Sequence, residues 1–204
     1  HRSEISGLHS DMKCLHRCDD VYRLGDLVNG YWRAHFKGNL TEHVCRKWPS
    51  SVGCTHLLTG KSPCSLLVAP RATASPHAMA VHLRLGDVLD WPHYRKERKC
   101  DRAETSGCHY AHSPVYYERV AIPRNVSSVI LIGDPSYRGG GNHSIRYRDR
   151  VASVFRRRGF AVTVRDPETP DQDLSFLSHS TFLLPGKGGF ATLARKCALG
   201  TVVT

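Results

Sequence analysis

Three side chains able to hold an anion or move a proton, His82, Arg84 and Asp87, stand together at the end of the short apolar run Ala78-Met79-Ala80-Val81-His82-Leu83-Arg84-Leu85-Gly86-Asp87. Arg84 is the informative one. A guanidinium at a strand end presents a planar fork of donors matched to a carboxylate or a phosphate, which points to an anionic ligand. The competing reading is a structural ion pair between Arg84 and Asp87, which the spacing allows equally. A second acidic side chain, Asp134, closes another apolar run, Val129-Ile130-Leu131-Ile132-Gly133. A carboxylate there could accept two hydrogen bonds from a nucleobase edge or from ribose hydroxyls, or could cap the turn before Pro135. Further on, Gly188 and Gly189 precede a helical pattern, where backbone N–H groups can meet a phosphate closely. Gly186-Lys187 is not a phosphate-binding P-loop, since the first Gly and the Ser or Thr after Lys are missing. Asp171-Gln172-Asp173 has the form of a metal-diphosphate ligand pair. Its place ahead of Leu174, Phe176 and Leu177 reads more simply as helix capping.

These groups need elements that carry them to one place. Met79, Val81 and Leu83 alternate as in a strand, and Gly86 with Asp87 supplies the turn that stops it. Ser113-Pro114 opens a helix through Tyr116, Tyr117 and Val120, with Ser as N-cap and Pro at the first helical position. Pro123-Arg124-Asn125 breaks it, and residues 129–134 form the next strand. Strand, charged loop, helix, strand is a βαβ pattern, so a parallel sheet with Asp134 near Arg84 beyond the strand ends is expected. A glycine loop over residues 139–141 leads to a helix over 144–158, with Ile145, Val151, Val154 and Phe155 towards the core. Residues 160–164 give a third strand, and the apolar run at 200–204 a last one. The fold class is therefore α/β, a Rossmann-like parallel sheet with flanking helices.

The region before residue 76 reads differently. Val21, Leu24, Leu27, Val28, Tyr31 and Trp32 fit one face of a helix from Asp19 to Phe36, and Tyr31 with Trp32 is more simply core than a sugar platform. Residues 37–77 carry Cys45, Cys54 and Cys64 among Gly, Pro and Ser. We place a boundary near residue 75, giving a Cys-rich segment over 1–75 and the sheet domain over 76–204. Between the first strand and the first helix of that domain, Arg95, Lys96, Arg98, Lys99 and Arg102 form a charge run, most simply a solvated loop and otherwise an electropositive rim.

His82-Leu83-Arg84-Leu85-Gly86-Asp87 resembles the first motif of the fucosyltransferase superfamily that includes α1,2- and α1,6-fucosyltransferases and protein O-fucosyltransferases. The Tyr116-Tyr117 helix followed by a strand ending in Gly133-Asp134 resembles the second motif, with Gly where Ser is usual. The third is Asp173-Leu174-Ser175-Phe176-Leu177-Ser178, a strand, and then the small-residue turn that ends in Phe190. Together the motifs span about residues 78–199. The resemblance implies the C-terminal, donor-binding half of a GT-B glycosyltransferase that transfers fucose from GDP-fucose to a glycan or protein acceptor, with inversion and without a required metal or other cofactor. It implies Arg84 as the catalytic residue, and His82, Gly86, Asp87, Asp134, Gly188, Gly189, Phe190 and Thr192 as donor-binding residues. Two departures qualify the pattern: Leu85 stands where many members carry a second Arg, and Gly188 and Gly189 where they carry hydroxyls. Phosphate contact would then come from backbone amides, Lys187 or Thr192.

The formal net charge of +11 favours anionic partners such as nucleotides, sulfated glycans, nucleic acid or acidic lipid surfaces. The basic stretch over 144–158 lacks interleaved stacking aromatics, so nucleic acid is not expected. His93, His109 and His112 lack metal-ligand spacing, and no metal is assigned. Eight cysteines and the sequons at Asn39, Asn125 and Asn142 favour disulfides and an oxidising secretory compartment, in the Golgi or endoplasmic reticulum lumen or outside the cell. No run is long and apolar enough to span a bilayer, so any anchor is expected upstream of His1. The rival expectation is a non-catalytic secreted module that binds anionic glycans or nucleotides.

Overall fold

The computed structural model describes residues 73–90, 92, 107–108, 110–137 and 141–204, with Cys64, Leu67 and Pro70. The expected helix over 19–36, the Cys-rich loops before residue 64, the sequon at Asn39, most of the charge run (93–106) and Gly139-Gly140 lie outside the described residues. The chain divides into two compact units, His1–Leu67 and Val68–Thr204, and the second carries every element described below.

Five strands, β1 (Ala78–His82), β2 (Ser128–Ile132), β3 (Ala161–Val164), β4 (Phe182–Leu184) and β5 (Thr201–Val202), form one parallel sheet in the order β3-β2-β1-β4-β5. The domain is thus an α/β, Rossmann-like fold. Met79 lies in register with Val129 on one side and Phe182 on the other. All five residues of β1 are buried, as a strand covered on both faces requires, which is why Ala78-Met79-Ala80-Val81 is apolar without a break. β3, at the edge, is mostly exposed and mixes Thr with Val.

The helices are α1 (Asp87–Asp90), α2 (Pro114–Arg119), α3 (Asn142–Arg157), α4 (Pro170–Ser178) and α5 (Gly189–Cys197). They fall into two groups, with α3 against α1 and α2, and α4 against α5. Right-handed crossovers put these groups on opposite faces of a sheet with this strand order. The core joins Met79, Val81, Val129 and Leu131 of the sheet to Tyr147, Val151, Val154 and Phe155 of α3. Ile145, expected inward, is 38% exposed, because it falls off the stripe formed by Tyr147, Val151 and Phe155.

Helix ends follow local chemistry. Pro114 takes the first position of α2 as expected, though the Ser113 hydroxyl makes no capping bond. At the other end, Arg158 donates to the carbonyls of Tyr117 (2.5 Å) and Val120 (3.0 Å), supplying a cation at the carboxyl end of the helix. For α4 the expectation of an aspartate cap is corrected. Thr169 is the N-cap, its hydroxyl accepting from the Gln172 N–H while the Gln172 side chain accepts from the Thr169 N–H. This capping box, with Pro170 at the first position, starts the helix early enough that Asp173 no longer caps anything. Cys64, Cys108 and Cys197 are disulfide-bonded.

Candidate functional site

The strand order reverses direction at β1: from it the chain proceeds outward to β2 and β3, then returns to β4 and β5 on the other side. Open parallel sheets bind ligands beyond the carboxyl ends of the strands at such a switch point. A cavity of about 360 Å³ lies there, walled by residues that follow β1 (His82, Leu83, Arg84, Leu85), residues that follow β2 (Gly133, Asp134, Tyr137), the approach to and first turn of α4 (Glu168, Pro170, Asp173) and Phe190 of α5.

The loop after β1 is built around Gly86, whose φ of 79° lies in the left-handed region. A Cβ there would also stand 2.4 Å from the Tyr137 carbonyl oxygen, so glycine is required twice over. Asp87 donates its backbone N–H to that same carbonyl at 3.1 Å. The Gly86 N–H donates to the buried Ser144 hydroxyl at 2.8 Å, and Ser144 in turn donates to Asp90. Asp90 also accepts the backbone N–H groups of His143 (2.9 Å) and Ser144 (3.2 Å) at the start of α3. Burial pushes the Asp90 carboxyl up, but a bond from the Gly141 backbone and these bonds from Ser144 and His143 outweigh it and hold the group below the usual carboxylate range. The positive end of α3 is therefore met by the chain's own carboxylate, and the loop that carries Arg84 is fixed to the helix.

Arg84 is partly buried. Its guanidinium donates to the Leu85 carbonyl at 2.6 Å and to Asp87 at 2.5 Å, and it lies over the Tyr137 ring at 5.1 Å. Asp87 also accepts the Val88 N–H at 2.9 Å, so it orients Arg84 and a loop amide together. These two bonds use two of the five guanidinium donors. His82 is buried and neutral: desolvation first, and the Arg84 charge second, lower its pKa to about 4. Its ring lies 5.1 Å from that of Phe190, and its Nδ1 has no hydrogen-bond partner among the described residues.

Facing these is an acidic wall. Asp134 accepts from the Ser136 N–H (2.8 Å) and hydroxyl (2.6 Å), an Asx turn that engages one of its two oxygens. Gly133 is required by close packing, since a Cβ there would meet the Leu83 carbonyl oxygen at 2.3 Å. Asp173 is 8% exposed, and its Oδ1 has no hydrogen-bond partner. Burial pushes its carboxyl up to about 6 and the Glu168 and Asp134 charges add to this, while the Arg165 charge and a hydrogen bond from the Glu168 backbone oppose it.

Of the residues singled out from sequence, His82, Arg84, Asp134 and Phe190 share the cavity, and Gly86 and Asp87 build the turn beneath Arg84. Gly188, Gly189 and Thr192 stand at the start of α5 outside these walls. Gly188 is the N-cap with no side-chain capping bond, and the Thr192 hydroxyl donates back to the Gly188 carbonyl at 3.1 Å. Lys187 donates to the Cys108 carbonyl at 2.8 Å, which directs its ammonium to a loop rather than to the cavity. Sequence reasoning missed Tyr137 and Glu168, and it gave Asp173 to a cap. The available signal for Asp173 was Thr169-Pro170-Asp171-Gln172, a capping box that places the helix start four residues earlier. No group of three His, Cys, Asp or Glu side chains is placed to hold a metal ion among the described residues. No helix among them is long and apolar enough to cross a membrane.

Fold and site together define the class: a parallel α/β domain with a largely apolar cleft at its topological switch point, carrying Arg84 on one wall and Asp134, Glu168 and Asp173 on the other. Comparison of the chain with models of known protein families, with curated proteins and with solved structures finds no match.

Proposed function

We propose that the domain binds a nucleoside diphosphate sugar and serves as the donor half of an inverting glycosyltransferase, with GDP-fucose as donor and a glycan or protein as acceptor. The observation that carries this reading is the polarity of the cleft. Arg84 offers N–H donors to a diphosphate, and the Asp173 Oδ1, buried and unpartnered, offers an acceptor to a donor-rich base edge across the same cavity. A guanine edge carries such paired N–H donors, whereas the equivalent edge of cytosine does not. Asp173 suits this role better than Asp134, one of whose oxygens is engaged by Ser136. Phe190 and Tyr137 supply flat apolar surface beside it.

As the sugar–phosphate bond breaks, negative charge grows on the β-phosphate. A fixed guanidinium binds that charge more tightly than it binds the intact donor, which is how Arg84 would accelerate departure. Asp87 holds the fork in place at the cost of part of its charge. Calorimetric titration of the full chain with GDP, UDP and CMP tests the reading: micromolar GDP binding with UDP and CMP at least tenfold weaker is expected. Equal affinities, or none, would refute it. The bond from Arg84 to Asp87 favours a second reading, in which Arg84 is a structural ion-pair partner and the domain binds its ligand without catalysis. Donor hydrolysis separates the two, since a binding module retains GDP and releases no fucose from GDP-fucose.

A further inference from the structure

Asp173 is a costly residue to keep where it stands. A carboxylate with a buried oxygen that no group satisfies is a poor choice for stability, because an unpaired buried acceptor carries its full desolvation penalty. Its surroundings worsen the position. Asp134 from the loop after β2 and Glu168 from the approach to α4 are like charges, and both wall the same cavity. Arg165 opposes them in part, but its guanidinium is shared with Glu168 at 2.8 Å and with the Phe176 ring at 4.4 Å. From the end of β1 the cavity receives His82, kept neutral by burial, and Arg84, which is bonded to Asp87. From α5 it receives Phe190, which has no charge.

We propose that ligand uptake by this cleft is coupled to proton release from Asp173, so that affinity for a guanine nucleotide falls on acidification. The inference rests on the nucleotide reading of the cleft and adds to it a means of control. Without ligand, the least costly state of Asp173 in mildly acidic solution is the neutral carboxylic acid, which presents a hydroxyl donor. A base edge that offers two N–H donors clashes with that hydroxyl and matches the carboxylate, which accepts both. Binding therefore requires that the O–H bond of Asp173 give its proton to solvent. One proton leaves, two N–H···O bonds form, and the ligand's own protonation is unchanged. The raised carboxyl places the transition near pH 6, within a range that a cell compartment can set.

The probe is GDP-fucose, because its diphosphate is esterified at both ends and does not titrate between pH 5 and 8 as the terminal phosphate of GDP does. The full chain is titrated calorimetrically at pH 5, 6, 7 and 8, in two buffers of different ionisation enthalpy that report the protons released. Carbon NMR of the Asp173 carboxyl is followed in parallel in the ligand-free protein. Affinity about tenfold weaker at pH 5 than at pH 7 is expected, with nearly one proton released per ligand at pH 5 and almost none at pH 8. Asp173→Asn should bind weakly at every pH and lose the dependence. A carboxyl that titrates in the ordinary carboxylate range, with nucleotide bound equally well at pH 5 and 7, would overturn the coupling and leave the nucleotide reading standing. Affinity that rises on acidification would overturn it as well. Absence of GDP-fucose and GDP binding at every pH would overturn both, an outcome distinct from binding that is merely independent of pH.

Discussion

At Arg84 the proposed catalytic role depends on geometry that lysine cannot reproduce. One guanidinium donates to the Leu85 carbonyl and to Asp87 through different nitrogens while facing the Tyr137 ring, and its remaining donors are fixed by those bonds. Arg84→Lys keeps the charge and loses the fork. We expect turnover to fall by roughly a hundredfold, about 2.7 kcal/mol of transition-state stabilisation, with a smaller change in nucleotide affinity. Arg157→Lys, where an exposed guanidinium pairs with Glu118, should leave turnover within a factor of two of the parent. If Arg84→Lys unfolds at lower denaturant yet turns over normally, Arg84 is a structural ion-pair partner. Asp173 makes the opposite trade. Asp173→Asn removes a buried charge whose Oδ1 has no partner, so at pH 8 the variant should be more stable than the parent by about 1 to 3 kcal/mol while losing nucleotide affinity. Equilibrium urea unfolding measures the first effect and calorimetry the second. A variant destabilised at pH 8 would mean that Asp173 has a structural partner it depends on.

Among the elements, the join between the loop after β1 and the start of α3 is where fold and site meet. Ser144 is fully buried and serves Gly86 and Asp90 together, so Ser144→Ala leaves a glycine N–H and a carboxylate short of partners. A loss of about 1 to 3 kcal/mol in urea unfolding is expected, together with weaker nucleotide binding, since Arg84 sits two residues from Gly86. Unchanged stability would show that the loop is held from elsewhere. The sequence carried part of this design openly. β1 was legible from its unbroken apolar run, α2 from Ser113-Pro114, and the approach of Asp134 to Arg84 from the βαβ order. The partnership of Ser144 with Gly86 was not legible, because 58 residues separate them and Ser144 was visible only as the third residue of a sequon and the start of a helix. Asp173 failed for a different reason. Two acidic residues ahead of an apolar helix look like caps unless the capping box of Thr169 and Gln172 is weighed first. Tyr137 lay beyond reach because its role is largely its backbone carbonyl, which the Gly86 turn and the Asp87 amide both address.

Across the described residues of the domain, two buried groups, His82 and Asp173, and the half-buried His112 place opposite demands on how stability responds to acid. His82 and His112 are held neutral, each lowered from 6.5 to about 4, His82 by burial and then Arg84, His112 by burial and then Lys187. Folded pKa values below the unfolded ones mean that each histidine's contribution is complete above pH 6.5 and is lost as pH falls towards 4. Asp173, raised from 3.8 to about 6, has the opposite sign: its contribution is complete below pH 3.8 and is lost as pH rises through 6. Between pH 4.5 and 6 the unfolded chain therefore holds two histidine protons that the native state lacks, and the native state holds one carboxyl proton that the unfolded chain lacks. The net uptake on unfolding is about one proton, so stability should fall by about 1.4 kcal/mol for each pH unit of acidification in this window. In Asp173→Asn the offsetting proton is gone, and the slope should steepen to about twice that value. In His112→Asn the slope should flatten towards zero, because one histidine then balances one carboxyl. Urea unfolding at half-unit steps from pH 4.5 to 7 reads all three slopes. A parent that already shows the steeper slope, with Asp173→Asn no steeper, would show that Asp173 does not hold its proton in the folded state, and a parent and variant both level across the window would show that the histidines are not held neutral either.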